Sequence, residues 1–242
     1  MKFPSTVGRE VPDGLVAITI FLLRLGFLAA LTGCSGNRVA HSPSQSPPAL
    51  PYRTWEIGLI APNYMEVWVE GVDVIDQRGL AYVRVHGGVS SVRNPPNNRG
   101  NPAGWPARPG AGATRPMSGI DLPEILFVRW QSLAEPQTYR VRIDVPQEIR
   151  DEMVTPYPAF CRFDGQHIED YRNIVTIGLA PGGIAKAWLS GACLEPVEIG
   201  RFTGSVHPEG PSEGLTEGRY ALPLAPEAQE YVDEHGIPFG TW

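Results

Sequence analysis

Between residues 55 and 202, several short segments separated by Pro and Gly carry apolar residues at every second position. A period of two puts alternate side chains on opposite faces of a strand and cannot line one face of a helix. The segment 64–70 sets Met65, Val67 and Val69 on one face and Glu66, Trp68 and Glu70 on the other, where Trp68 either packs on a neighbouring strand or lies exposed. The segment 81–86 aims Ala81, Val83 and Val85 at the core. Residues 125–133 are almost continuously apolar, as in a central strand. After Ala134-Glu135-Pro136, the segment 137–145 points Tyr139, Val141, Ile143 and Val145 inward and Arg140, Arg142 and Asp144 to water, which makes a hairpin. Pro181-Gly182-Gly183 presets a tight turn between 173–180 and 184–189. Segments 55–60 and 196–202 add further strands. Short helices are expected at 146–153, where Ile149 and Met153 share a face, and at 226–232. The expected fold is mainly β, an antiparallel two-sheet sandwich with one or two short helices.

The N-terminus carries a different signal. Lys2 and Arg9 precede an apolar run at 15–31, which ends in Leu31-Thr32-Gly33-Cys34. Basic, then apolar, then small residues at a cut site is the order of a secretory leader. With its cysteine the stretch resembles a bacterial lipoprotein signal. That resemblance implies removal of residues 1–33 and acylation of Cys34, with Ser35 pointing to the outer membrane and its periplasmic face. Arg24 interrupts the run and shortens the apolar part to 25–31, against about 20 residues for a spanning helix. The alternative is an uncleaved anchor beside an unmodified Cys34. Residues 34–53, rich in Ser and Pro, read as a flexible tether, and 54–242 as one periplasmic domain.

The chain carries a formal charge of −6, with 20 Lys and Arg against 26 Asp and Glu, which argues against nucleic acid as a partner. In an oxidising compartment Cys161 and Cys193 favour a disulfide, the alternative being two buried thiols. Residues 90–121 hold six prolines and five glycines and read as a long exposed loop unable to form a ladder or bury a core. Within it Arg93, Arg99, Arg108 and Arg115 accompany Trp105, a combination common in binding hot spots and a candidate partner surface.

The sequence offers no catalytic motif: it has no nucleophile elbow, phosphate-binding loop or paired-histidine metal motif. Asp164, His167, Glu169 and Asp170 form the most metal-like group, but at a spacing that reads as a solvated acidic loop. The pairs Asp121/Glu124 and Asp151/Glu152 read as surface charge, and His86, His207 and His235 as isolated side chains. No catalytic residue, metal or cofactor is therefore assigned, and the chain is expected not to be an enzyme.

Trp55, Gly58, Ala61, Pro62 and Tyr64, followed by Val67-Trp68-Val69-Glu70, carry a family resemblance. Arg129-Trp130-Gln131-Ser132-Leu133 with Glu135 and Tyr139, and Gly178-Leu179-Ala180-Pro181-Gly182-Gly183 with Trp188, extend it to about residues 54–203. In these residues the chain resembles a domain-of-unknown-function family of proteobacterial lipoproteins. Some such lipoproteins are encoded beside type VI secretion lipase effectors, which implies a tethered binding module that neutralises a toxin. The alternative is a general envelope role, as assembly factor or ligand carrier. A deep apolar pocket would favour a carrier, and a sheet face rimmed with charge a protein partner.

Overall fold

The computed structural model describes residues 48–91 and 94–242. The expected leader, Cys34, the tether up to residue 47 and Arg93 lie outside the described residues. The chain runs through β1 (Glu56–Ile60), β2 (Val67–Asp76), β3 (Ala81–His86), β4 (Val89–Ser91) and β5 (Ala113–Pro116). The hairpin β6 (Pro123–Ser132) and β7 (Gln137–Asp144) leads into helix α1 (Gln147–Val154). Then come β8 (Pro156–Cys161), β9 (Gln166–Tyr171), β10 (Ile174–Ala180), β11 (Ile184–Ser190), β12 (Val197–Thr203), β13 (Ser205–Val206) and helix α2 (Pro226–His235).

Among the described residues these strands form two large sheets and a ribbon. One sheet has the order β12-β11-β10-β1-β5 and the other β13-β7-β6-β2-β3, with β4 also on β2; β8 and β9 pair alone. The two large sheets are arranged as a sandwich. Its core is shared by Trp55, Ile57, Leu59, Val175, Ile177 and Leu189 from one sheet and Val67, Val72, Leu126, Trp130, Val141 and Ile143 from the other. Side chains this deeply buried contribute about 1.5–3 kcal/mol each. Pairing is antiparallel apart from β1 with β10, which run parallel because more than 100 residues of chain separate them and no hairpin constrains their direction.

The β6–β7 hairpin has the expected register, Ile125 opposite Asp144 through Ser132 opposite Gln137. Tyr139, Val141 and Ile143 are buried and Arg140, Arg142 and Asp144 exposed, as the alternation requires. The tight turn after β10 follows Pro181, with Gly182 and Gly183 both at φ 74°. Ile149 and Met153 are the buried face of α1.

Four expectations change. Val83 is 74% exposed and points away from the core, while Tyr82 is half-buried. Arg84 at φ 52° explains this: pairing shifts between Val72 opposite His86 and Val74 opposite Tyr82, so the period of two is broken there. Residues 156–171, around Asp164, His167 and Glu169, form the β8–β9 ribbon and not an acidic loop. Its prolines, Pro156 and Pro158, suit a ribbon with free edges. The tether's last residues are not free: Leu50 and Tyr52 pack against the core.

The fourth change concerns 90–121. Ala113–Pro116 pairs with β1, and Met117 and Ile120 join the core. Trp105 crosses β10 where Gly178 leaves room, since a Cβ on Gly178 would stand 2.6 Å from the indole. Its ring meets Trp188 edge-on at 5.4 Å. The segment therefore does both things its composition seemed to forbid, because it borrows an existing sheet edge and face. Among the described residues no helix is long and apolar enough to cross a membrane.

Candidate functional site

Of the loop arginines expected to form a binding surface, the three described, Arg99, Arg108 and Arg115, do not converge. Arg108 pairs with Glu195 at 2.7 Å, while Arg115 on β5 donates to the Val85 carbonyl at 3.5 Å beside His86. Arg99 is exposed elsewhere on the loop. Trp105 is a packing residue that also lines a cleft of about 620 Å³ with Ile60, Pro62 and Asn101, whose walls carry no charged side chain. Cys161 and Cys193 do meet as expected, in a disulfide that ties the β8–β9 ribbon to the loop after β11. Asp170 of the acidic group accepts the Cys193 N–H at 2.8 Å and so braces that junction.

Three of the four paired carboxylates are engaged in structural contacts, and Glu124 is exposed. Asp121 accepts from the Gln77 amide at 2.8 Å and lies 3.6 Å from Arg78, whose guanidinium grips Asp76 at 2.6 Å. Glu152 accepts from the Tyr157 hydroxyl at 2.8 Å and pairs with Arg172 at 3.2 Å, and Asp151 accepts from the Gln147 amide. His86 is clamped, with Nε2 on the Ala113 carbonyl at 2.9 Å and Nδ1 accepting the Gly87 N–H, and burial pushes its imidazole below the ordinary histidine range.

The most distinctive polar surface is elsewhere, on the outer face of the six-stranded sheet. A bulge at Glu70, where pairing passes from Val69–Trp130 to Gly71–Arg129, turns both Glu70 and Gly71 outward. Two rows then cross the strands. Gly71, Arg129, Arg140 and Ser205 stand opposite one another in turn, and beside them Asp73, Phe127 and Arg142. Together with His207 they line a trough of about 420 Å³. Arg84 stands at its β2 border, where its left-handed backbone lays the side chain over Gly71, within 3.3 Å of where a Cβ would stand. The Arg84 N–H is fixed by the Asp73 carboxylate at 2.7 Å.

One end of this face is covered. Glu70, with its side chain only 4% exposed, accepts from Arg129 at 2.7 Å, Gln131 at 2.8 Å and the Ser212 N–H at 2.6 Å. Arg129 also reaches Glu213 at 2.6 Å, and Gln131 accepts the Ala221 N–H at 2.8 Å. The polar network straps residues 212–221 over the sheet. The open end holds Phe127, 37% exposed, with the Arg142 guanidinium 5.8 Å from its ring centre. Arg142 in turn holds the Asp144 carboxyl below the usual carboxylate range through a 2.6 Å contact.

The charges along the trough are unequal. Arg129 and Arg142 have carboxylate partners, whereas among the described residues Arg84 and Arg140 have none; Arg140 reaches only the Ser205 hydroxyl at 3.4 Å. His207 is 8% exposed, and its Nδ1 is buried without a hydrogen-bond partner. Chemically the trough offers two uncommitted guanidiniums, an aromatic floor and an imidazole, which suits recognition of carboxylates or other anions. Sequence reasoning turned Arg140 and Arg142 to water but missed the site. Counting back across the turn at 134–136 places Arg129 opposite Arg140, and that was the available signal.

No curated protein and no solved structure matches the chain. Residues 39–240 match a family described as a protein of unknown function, DUF2931. The match spans every strand and helix described above, and the chain belongs to the DUF2931 family.

Proposed function

We propose that the protein is a binding module of the bacterial envelope, held by an acyl anchor on Cys34 and recognising a protein partner, rather than an enzyme. The observation that carries this reading is the arginine trough. Two guanidiniums without carboxylate partners among the described residues stand on one sheet face in a chain whose formal charge is −6. A sheet face rimmed with charge suits a protein partner. A carrier is favoured less, because the space between the sheets is filled by Trp55, Trp130, Ile57, Leu126 and their neighbours. Tethering raises the local concentration of such a module at the membrane.

The resemblance to lipoproteins encoded beside type VI lipase effectors supports an immunity role, in which the domain occludes the active site of a toxin. The test is capture and protection. The full chain, solubilised in mild detergent, is expected to retain a lipase effector encoded beside its gene and to protect cells exporting that effector to the periplasm. Failure of both with every neighbouring effector overturns the immunity role. Failure to retain any envelope or secreted protein overturns the binding module.

A further inference from the structure

Resting on the binding-module reading, we propose that the trough takes an extended acidic peptide segment of the partner, with two carboxylates about three residues apart and an apolar side chain between them. The spacing follows from the sheet. Arg84 lies over Gly71 of β2, Arg140 stands on β7, and β6 runs between them. Neighbouring strands are about 4.8 Å apart, so the two guanidiniums rise from lines roughly 10 Å apart, the span of about three residues of extended chain. A single compact anion would call for donors converging on one point.

Phe127, on the strand between them, offers the floor on which an apolar side chain packs. At the β7 end, Ser205 and the buried His207 sit beside Arg140 in the same trough. The Nδ1 of His207 is buried there without a hydrogen-bond partner. A carboxylate bound by Arg140 lies in the corner that Ser205 and His207 also line.

Two features run against stability and are explained by ligand binding. Arg129 and Arg140 are like charges directly opposite each other on adjacent strands, an unfavourable arrangement. Arg84 holds a left-handed backbone that arginine seldom adopts, and that backbone carries its side chain onto the trough. The commitments of Arg129 to Glu70 and Glu213, and of Arg142 to Asp144, assign recognition to Arg84 and Arg140.

The probe is a fluorescein-labelled peptide with two glutamates three positions apart and a leucine between them, titrated against the full chain in detergent and followed by anisotropy. Binding is expected to weaken with salt and to fall about tenfold for each of Arg84→Gln and Arg140→Gln, the equivalent of roughly 1.4 kcal/mol apiece. Both side chains are exposed, and thermal melting checks that each variant folds. Unchanged affinity in both variants overturns the proposal. So does equal binding of the peptide with glutamines in place of its glutamates, or displacement by inorganic phosphate, which marks a compact anion site. If the double variant still retains the partner captured by the native protein, the trough assignment falls and the binding module stands. If the native protein captures nothing, it is the earlier reading that fails.

Discussion

Arg129 and Arg140 face each other across the β6–β7 hairpin, two guanidiniums on one side of a sheet. Only Arg129 is neutralised, by Glu70 and Glu213. Opposite charges in such a pair contribute roughly 0.2–1 kcal/mol and like charges oppose folding. Arg140→Glu is therefore expected to raise stability by about 0.5 kcal/mol in urea melts while abolishing binding of an acidic peptide. A variant that loses stability and keeps binding contradicts the role given to Arg140.

Glu70 is the pin of the strap over the same face. Glu70→Ala removes the acceptor for Arg129, Gln131 and the Ser212 N–H at once. The expected loss is about 2–3 kcal/mol, since Arg129 loses its more buried carboxylate partner and keeps only Glu213, while the Gln131 amide and the Ser212 N–H lose their acceptor. Limited proteolysis is expected to cut within residues 207–225 in the variant well before the sandwich itself.

Gly178 is needed where it stands. A methyl there meets the Trp105 indole at 2.6 Å. Gly178→Ala is expected to cost about 1–3 kcal/mol by displacing the ring. A red shift in tryptophan emission checks that the loss comes from Trp105 and not from β10.

Acid stability is tied to Asp76. Burial works to raise its pKa, but the Arg78 side chain and the N–H groups of Leu80, Asp121 and Arg78 outweigh it, and the net direction is down. A carboxyl depressed in the fold stabilises it above the unfolded value near 3.9, and that stability is lost as pH falls through the lower folded value. Stability is thus expected to drop below about pH 4. Asp76→Asn is expected to be less stable at neutral pH and to show a flatter acid limb in pH-dependent urea melts.

The disulfide joins residues 32 apart in sequence. Closing a loop of that length stabilises the fold by about 4 kcal/mol in the chain-entropy view. Reduction is expected to lower the melting temperature, and Cys161→Ser/Cys193→Ser to reproduce the reduced protein without further effect of reductant.

How much of this was legible in the sequence depended on how local the cause was. The β6–β7 hairpin, the turn at Pro181 and the Ile149/Met153 face of α1 follow from periods and turn residues that lie side by side in the chain. Val83 was misplaced because one left-handed residue, Arg84, breaks the period and nothing in an arginine announces that. Trp105 read as a free anchor because Gly178, which makes its seat, is 73 residues away. The trough was half legible: the hairpin alone opposes Arg129 to Arg140, but the contributions of Arg84, Phe127 and His207 depend on a bulge at Glu70 and on the pairing of β13 with β7. Cys34 and the leader rest on sequence alone.

Photo-crosslinking in living cells tests the central claim most directly. A benzophenone side chain is placed at Phe127 in the trough and, separately, at Arg99 and Arg108 on the loop. The account predicts a discrete protein adduct from position 127, weakened by Arg84→Gln/Arg140→Gln. Adducts from the loop positions with none from position 127 would contradict it.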